Sequence, residues 1–218
     1  IANGDNEEIK KVNYNTKVIF YGFKEDNDVV IKNMEYKESG SIFDLYIKNE
    51  FFGHFDIPLY GSHMIQNATA AIIMAKELGL EKDTIHNLLE TFHNAKRRFA
   101  EEKIKDCVII DDYAHHPTEI KVTLDAVKQK YPNKRLVTIF VPNTYSRLKD
   151  FEQEFVNAFQ VSDKTYFTEV DSNREKQTDY PGINSKKIID QIKNGEMISL
   201  DTIDKLKDET SSVVCFLG

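Results

Sequence analysis

The stretch "CVIIDDYAHHPTEIKVTLDAV", residues 107 to 127, decides the fold. It opens on a short apolar run of strand type, "CVII", and after Pro117 it carries Ile120, Leu124 and Val127 at spacings of four and three. That spacing puts the three side chains on one buried face of a helix. A proline suits the first helical position, where its missing N–H costs nothing. The ionisable cluster between the two, Asp111, Asp112, Tyr113, His115 and His116, therefore lies on a turn that leaves the C-terminal end of a strand and enters a helix. In open parallel α/β sheets ligands bind at that edge.

Working outward, strands and helices alternate from residue 107 onward. Strands are expected at 107–111, 135–140, 164–168, 196–199 and 212–217, with helices at 117–131, 147–161, 185–194 and 201–209. Such alternation predicts a parallel sheet with right-handed crossovers. The first third reads differently. "KVIFYGF" (17–23), "DVVIKNMEY" (28–36), "SIFDLYIKN" (41–49) and "EFFGHFDIPL" (50–59) are β-branched and aromatic, separated by turns such as "KEDN" and "KESG". In "SIFDLYI", Phe43, Leu45 and Ile47 alternate with Ile42, Asp44 and Tyr46, the pattern of a half-exposed antiparallel meander. Two helices follow, one over 65–78 stopping at Gly79, the other over 82–92 with Asp83 as its N-cap. The charged run 94–106 marks a domain boundary, placed close to Phe99.

The chain has 218 residues, 40% of them hydrophobic and 30% charged, with a formal net charge of -7. That length suffices for one large domain or two modest ones. An acidic chain with no basic, aromatic-rich patch repels phosphate backbones, so nucleic acid is excluded as a partner. No apolar run of membrane-spanning length and no signal peptide occur, which makes a cytoplasmic location the expectation. Cys107 and Cys215, each in an apolar strand-like run, read as buried thiols of a reducing compartment rather than a disulfide framework.

Three readings of the 111–116 cluster stay open. A metal could draw on its Asp and His donors, but adjacent histidines rarely aim at one ion. The turn could be purely structural, with Asp111 or Asp112 capping the helix. The preferred reading is ligand binding, where a carboxylate accepts from sugar hydroxyls and Tyr or His donates to an anionic substrate. Consecutive side chains at a strand end point to opposite sides, so only one aspartate faces the cleft. Alternation by itself leaves open which of Asp111 and Asp112 that is. "YGSHMIQNATAAI" (60–72) fits a plain helix start, or His63 and Asn67 facing a purine edge. "AKRRF" (95–99) is either a solvated basic linker or a pair of guanidinium forks for phosphate oxygens. "VPNTYSR" (141–147) opens on the same sheet edge as the cluster; there Arg147 pairs with a carboxylate, or Thr144 and Ser146 cap a helix.

In this order, "GSHMIQNATAAI", "KRRF", "DDYAHHPTEI" and "PNTYSR" resemble the Mur ligases, and more narrowly the branch that joins L-alanine to UDP-N-acetylmuramate in peptidoglycan precursor synthesis. "DDYAHHPTE" is the specific part, and the resemblance covers essentially the whole chain. It implies an α/β Mur ligase-like fold: the C-terminal part of the central ATP-binding domain at 1–98, then a Rossmann-like C-terminal ligase domain with a mostly parallel sheet at 99–218. It implies a reaction in which ATP phosphorylates the substrate carboxylate, the amine attacks the acyl phosphate, and Mg²⁺ neutralises charge. By the same resemblance His63 and Asn67 lie beside the adenine, Arg98 near the phosphates and Asp112 at the ribose, which leaves Asp111 to stability. Tyr113, His115 and Arg147 then hold the incoming alanine and the muramoyl carboxylate. No metal ligand is assigned here: the Mg²⁺ ligands, the glycine-rich phosphate loop and the UDP-binding domain are expected ahead of residue 1, in a longer protein of which this is a C-terminal piece, cut also at its end. The chain departs from the family in carrying Val141 and Asn143 where Gln and His flank the proline. Two rivals stay beside this reading, a muropeptide-recycling ligase that attaches a peptide and a non-catalytic module that binds a nucleotide or precursor.

Overall fold

Backbone hydrogen bonding and the burial of alternating side chains explain most of the architecture. The computed structural model describes residues 1–37, 39–92 and 95–218. Glu38, in the expected "KESG" turn, and Asn94, at the start of the charged run, lie outside them. The chain divides into two units, Ile1–His93 and Asn94–Gly218.

The first unit contains β1 (Ala2–Asn3), α1 (Glu7–Lys10), β2 (Phe20–Gly22), β3 (Val29–Lys37), β4 (Gly40–Ile47), β5 (Glu50–Ile57), α2 (Ser62–Glu77) and α3 (Lys82–Glu90). Its five-stranded sheet runs β1-β2-β3-β4-β5, parallel over the first three strands and antiparallel over β3, β4 and β5. The expected meander is those last three strands. Phe43, Leu45, Phe55 and Ile57 point into the core against Ile65, Ile72, Ile73 and Ile85 of the two helices. Lys48 (φ +50°) and Asn49 (φ +68°) turn β4 into β5, the backbone signs that match the twist of a hairpin. α2 ends in a Schellman motif: Gly79 (φ +87°) donates to Lys76 O at 2.9 Å and Leu80 to Ala75 O at 3.0 Å. The N-cap position of α3 is held by Glu81, which makes no side-chain capping bond, rather than by Asp83, which sits in the first turn, where a carboxylate still favours the helix dipole.

The Asp5 carboxylate ties this unit together. It accepts from the amides of Phe23 and Lys24 at 2.8 and 3.0 Å, and from Asn27 Nδ2 and Gln66 Nε2, each at 3.0 Å. Gly22 permits this, since a Cβ there would lie 2.3 Å from Asp5 Oδ1.

The second unit contains β6 (Ala100–Ile104), β7 (Cys107–Asp112), α4 (Pro117–Lys130), β8 (Arg135–Phe140), α5 (Tyr145–Asp150), α6 (Glu152–Ala158), β9 (Lys164–Phe167), α7 (Ser185–Ile189), β10 (Gly195–Met197) and β11 (Ser212–Leu217). Its six-stranded sheet has the order β10-β9-β8-β11-β7-β6, parallel except for the β6–β7 hairpin. The connections through α4, α6 and α7 all step toward β10, whereas the return to β11 steps back. Crossovers of one hand therefore fall on opposite faces of the sheet. Phe140 packs with Phe155, Phe159 and Phe167 beneath α4 and α6. Val137, Ile139, Tyr166, Ile198 and Val214 line the other face with Leu206.

Three expectations need revision. The charged run contains a strand, β6, whose residues are all exposed. It is an edge strand held by main-chain bonds to β7, so no burial pattern marks it. The helix expected over 147–161 breaks at Phe151 (φ -126°) into α5 and α6. The one expected over 201–209 is a 3₁₀ segment, Leu200–Asp208. Cys215 is buried and Cys107 half-buried, both as free thiols. Among the described residues no helix is long and apolar enough to cross a membrane.

Asp5 yields a prediction. Burial alone would raise its carboxyl, but the bonds from Phe23, Lys24, Asn27 and Gln66 hold it below the ordinary value. Its contribution is thus fully present above the unfolded-state value and is lost as pH falls through the lower folded one. Asp5→Ala should lower unfolding stability at pH 7 by about 1–3 kcal/mol, because several donors lose their acceptor. In urea titrations the gap between the two proteins should begin to narrow below about pH 4 and close as pH falls through the lower folded value; a gap that persists in stronger acid would exclude the carboxylate as its source.

Candidate active site

The loop after β7 is built from main-chain bonds inward and side chains outward. Asp112, only 5% exposed, accepts from the Phe99 amide at 2.7 Å and the Ala114 amide at 2.8 Å. Tyr113 donates its own amide to Arg97 O at 2.9 Å. These bonds zip residues 97–99 onto the strand end and hold Arg97 (φ +56°) and Phe99 (φ +51°) in the left-handed region without glycine, a conformation that persists only when the surroundings enforce it. The Arg97 guanidinium donates to the Gly218 carbonyl at the end of β11, lies 3.5 Å from the Asp111 carboxylate and covers the Tyr113 ring at 5.2 Å. Arg98 lies over the same ring at 5.7 Å. The structural weight expected of Asp111 therefore falls on Asp112. The alternation of β7 buries the even-numbered residues, and Asp111 is left half-exposed beside Arg97.

The helix cap is also reassigned. His116, not an aspartate, is the N-cap of α4, its Nδ1 accepting from Thr118 N at 3.3 Å. The cap must immediately precede Pro117, and both aspartates lie too far upstream. Glu119 closes a capping box: its Oε2 accepts from the His115 and His116 amides at 3.1 and 3.2 Å. Burial pushes the Glu119 carboxyl up, but these two amides, the His115 ring and Arg98 outweigh it and hold it below its ordinary value. The His115 ring meets Tyr113 edge-on at 5.0 Å, with Nδ1 2.8 Å from Tyr113 O. The His116 ring faces Phe151 at 4.7 Å.

A second loop leaves the same edge after β8. Val141 N donates to Leu217 O at 2.9 Å, and a Cβ on Gly218 would come within 2.3 Å of Val141 O, so β8 and β11 end in close contact. Since β11 lies between β7 and β8, the two loops start roughly 10 Å apart. Half-buried Arg147 donates to Asn143 Oδ1 at 2.7 Å. Thr144 is the N-cap of α5 but makes no capping bond, while Ser146 donates its amide and hydroxyl to Glu175 at 3.0 and 2.5 Å. Sequence reasoning missed Glu175. It lies far along the chain, in a stretch with no strand or helix pattern.

In the first unit, His63 is half-buried and Asn67 exposed, one helical turn apart on the same side of α2. The residues assigned from the sequence thus form two sets. His63 and Asn67 sit on α2 of one unit, whereas Arg98, Asp112, Tyr113, His115 and Arg147 gather at the carboxyl edge of the sheet of the other. Among the described residues no group of three His, Cys, Asp or Glu side chains is placed to hold a metal ion.

Comparison with known proteins supplies the family. Residues 97–214 match the model of the Mur ligase, glutamate ligase domain, and residues 1–75 that of the Mur ligase middle domain. The fold is similar to the UDP-N-acetylmuramate-alanine ligase MurC of Thermotoga maritima, with a TM-score of 0.75 at 22% identity over 92% of this chain and 44% of that one. The MurF ligase of Thermotoga maritima, in complex with ADP, gives 0.65 at 23% identity over 92% and 44%. The murein peptide ligase of Psychrobacter arcticus gives 0.60 at 22% identity over 88% and 41%. The chain therefore spans less than half the length of these structures, and with both domain models matched in order it belongs to the Mur ligase family.

Proposed function

We propose that the chain is part of a cytoplasmic, ATP-dependent ligase that joins L-alanine to UDP-N-acetylmuramate. Residues 1–98 would be the C-terminal part of its central ATP-binding domain, and residues 99–218 its Rossmann-like ligase domain. The observation that carries this reading is the braced "DDYAHHPTE" loop, which holds Tyr113 and His115 at the carboxyl edge of the sheet, with half-buried Arg147 in the first turn of α5, the helix that follows β8.

Each residue has a role that its chemistry suits. His63 and Asn67 offer ring and amide groups to the adenine, and Arg98 offers a fork to phosphate oxygens. Asp112 accepts a ribose hydroxyl in addition to the two amides it already holds. Arg147, oriented by Asn143, pairs with a carboxylate of the alanine or the muramoyl group. ATP, a substrate here, supplies the phosphoryl group that activates the muramoyl carboxylate, and Mg²⁺ offsets the charge of its phosphates. We assign this chain to nucleotide and amino-acid positioning, the roles that the side chains of His63, Asn67, Arg98, Asp112 and Arg147 suit.

The direct test is phosphate release by the purified 218-residue chain with Mg²⁺, ATP, L-alanine and UDP-N-acetylmuramate. No turnover is expected from the chain alone, and turnover is expected once the preceding portion of the ligase is supplied. Turnover by the chain alone that needs both alanine and the UDP-sugar would overturn the division of labour.

In the complete ligase, Arg147→Ala should lower kcat/KM for alanine by roughly 10- to 100-fold, the loss of a charge-assisted hydrogen bond. Arg147→Lys should recover little, because a point charge replaces a fork; wild-type kinetics in Arg147→Ala would remove it from the site. The two aspartates should separate in urea titrations of this chain. Asp112→Asn should cost about 1–3 kcal/mol, because it turns one accepting oxygen into a donor that faces an amide, whereas Asp111→Asn should stay within about 0.5 kcal/mol. The reverse order would mean that Asp111, not Asp112, anchors the loop.

A further inference from the structure

The two adjacent histidines are held in opposite tautomers. His115 Nδ1 lies 2.8 Å from the main-chain carbonyl of Tyr113, a group that can only accept. Nδ1 therefore carries the proton, and Nε2 is left with a lone pair. Among the described residues nothing hydrogen-bonds to Nε2, and the side chain is 23% exposed. In His116 the assignment is reversed: Thr118 N–H donates to Nδ1, which must be the bare nitrogen, so the proton resides on Nε2. The accepting nitrogen of His116 is spent on the helix cap, and that of His115 is not.

From this geometry we infer that His115, through Nε2, is the base that takes a proton from the incoming amine, and that His116 serves only the cap. The inference rests on the ligase reading for the identity of the amine; the tautomers do not. An amino acid arrives as an ammonium ion, which has no lone pair with which to attack. One N–H proton passes to Nε2, the bonding pair stays on the substrate nitrogen, and ammonium plus imidazole become amine plus imidazolium. The freed lone pair then attacks the activated carboxyl carbon; as the C–N bond forms, the C–O bond to phosphate breaks, and the second N–H proton leaves with the departing phosphate to give the neutral amide. Glu119 is placed to steady the imidazolium, with Oε2 3.6 Å from Nδ1. That oxygen is fixed independently of the ring by the His115 and His116 amides. Arg97 and Arg98 lie over the Tyr113 ring, which meets His115 edge-on, and Asp111 at the end of β7 pairs with Arg97.

Two measurements test this. Long-range proton–nitrogen correlation spectra of the ¹⁵N-labelled chain, assigned with His115→Gln and His116→Asn, should show neutral His115 protonated on Nδ1 and neutral His116 on Nε2. His115 protonated on Nε2 would overturn the inference whatever the substrate. In the complete ligase, His115→Ala should lower kcat by about 10²- to 10⁴-fold. It should also abolish the acid limb of the kcat/KM profile and respond to added imidazole. His116→Asn, which keeps a capping acceptor, should stay within about threefold of wild type. An acid limb that survives in His115→Ala, or an equal loss in both variants, would refute the base assignment. Should the wild-type ligase use another amine in place of alanine, the substrate reading falls alone, and the same profiles taken with that amine decide the role of His115.

Discussion

The buried carboxylate of Asp112 is the constraint on which the candidate site depends. A buried anion is tolerable only when donors replace its hydration, and two main-chain amides do so here, one ahead of β6 and one in the loop after β7. The same two bonds fix the entry to the hairpin and the exit from β7. Arg98, Tyr113 and His115 all lie within three residues of a bond made by this one group, so their relative positions are set by main-chain geometry rather than by long flexible side chains. Its charge is felt inward as well: burial first, and then Asp112 and Asp111, push the Cys215 thiol well above its ordinary value, which keeps that buried sulfur neutral.

The sheet order explains why the edge near Asp112 is open. β7 hands its chain to α4 on one face, whereas the connection entering β11 comes from the opposite face. The turn after β7 and the entry to α5 after β8 both leave from this edge, and they carry the polar side chains of Tyr113, His115 and Arg147. The apolar content of the strands is spent on the two faces, with Phe140, Phe155, Phe159 and Phe167 on one and Val137, Ile139 and Tyr166 on the other. Their packing makes the edge rigid, which a site built from short loops requires.

Much of this was legible in the sequence where burial leaves a periodic trace. Ile120, Leu124 and Val127 marked α4, and "SIFDLYI" marked β4, because one face of each is buried. β6 left no trace, since Ala100–Ile104 is exposed throughout and is held by β7. The 3₁₀ segment at Leu200–Asp208 carries a helical pattern of apolar residues, so periodicity alone could not tell it from an α-helix. In the site, the sequence located the turn between β7 and α4 that carries the candidate residues. It could not assign the cap, because His is a less familiar N-cap than Asp and only the position before Pro117 can serve. Nor could it separate Arg97 from Arg98, since what distinguishes them is a left-handed backbone and a carbonyl at the far end of the chain.

The loop and the strap ahead of it contain three doublets of like residues, Arg97-Arg98, Asp111-Asp112 and His115-His116, and one physical rule bears on each of them. In extended or turning backbone, successive side chains point in different directions, so a doublet cannot place both members in the same environment. One member of each is therefore bound into the framework: Arg97 to Gly218 and Asp111, Asp112 to the Phe99 and Ala114 amides, His116 to the amide of Thr118. Its neighbour carries the same chemistry at the surface of the loop. The framework member must satisfy fixed partners, so it tolerates no change of donor or acceptor pattern; in the arginine and histidine doublets the neighbours, Arg98 and His115, keep chemical capacity for a ligand. Asp111 shows the limit of the rule, since its carboxylate is taken up by Arg97 and so braces the strap from outside. A repeated residue type at a strand end is thus better read as a bracing group and a presenting group than as a double-strength site. Here the histidine doublet shows this most directly, because its two rings differ in which nitrogen is left to accept a proton.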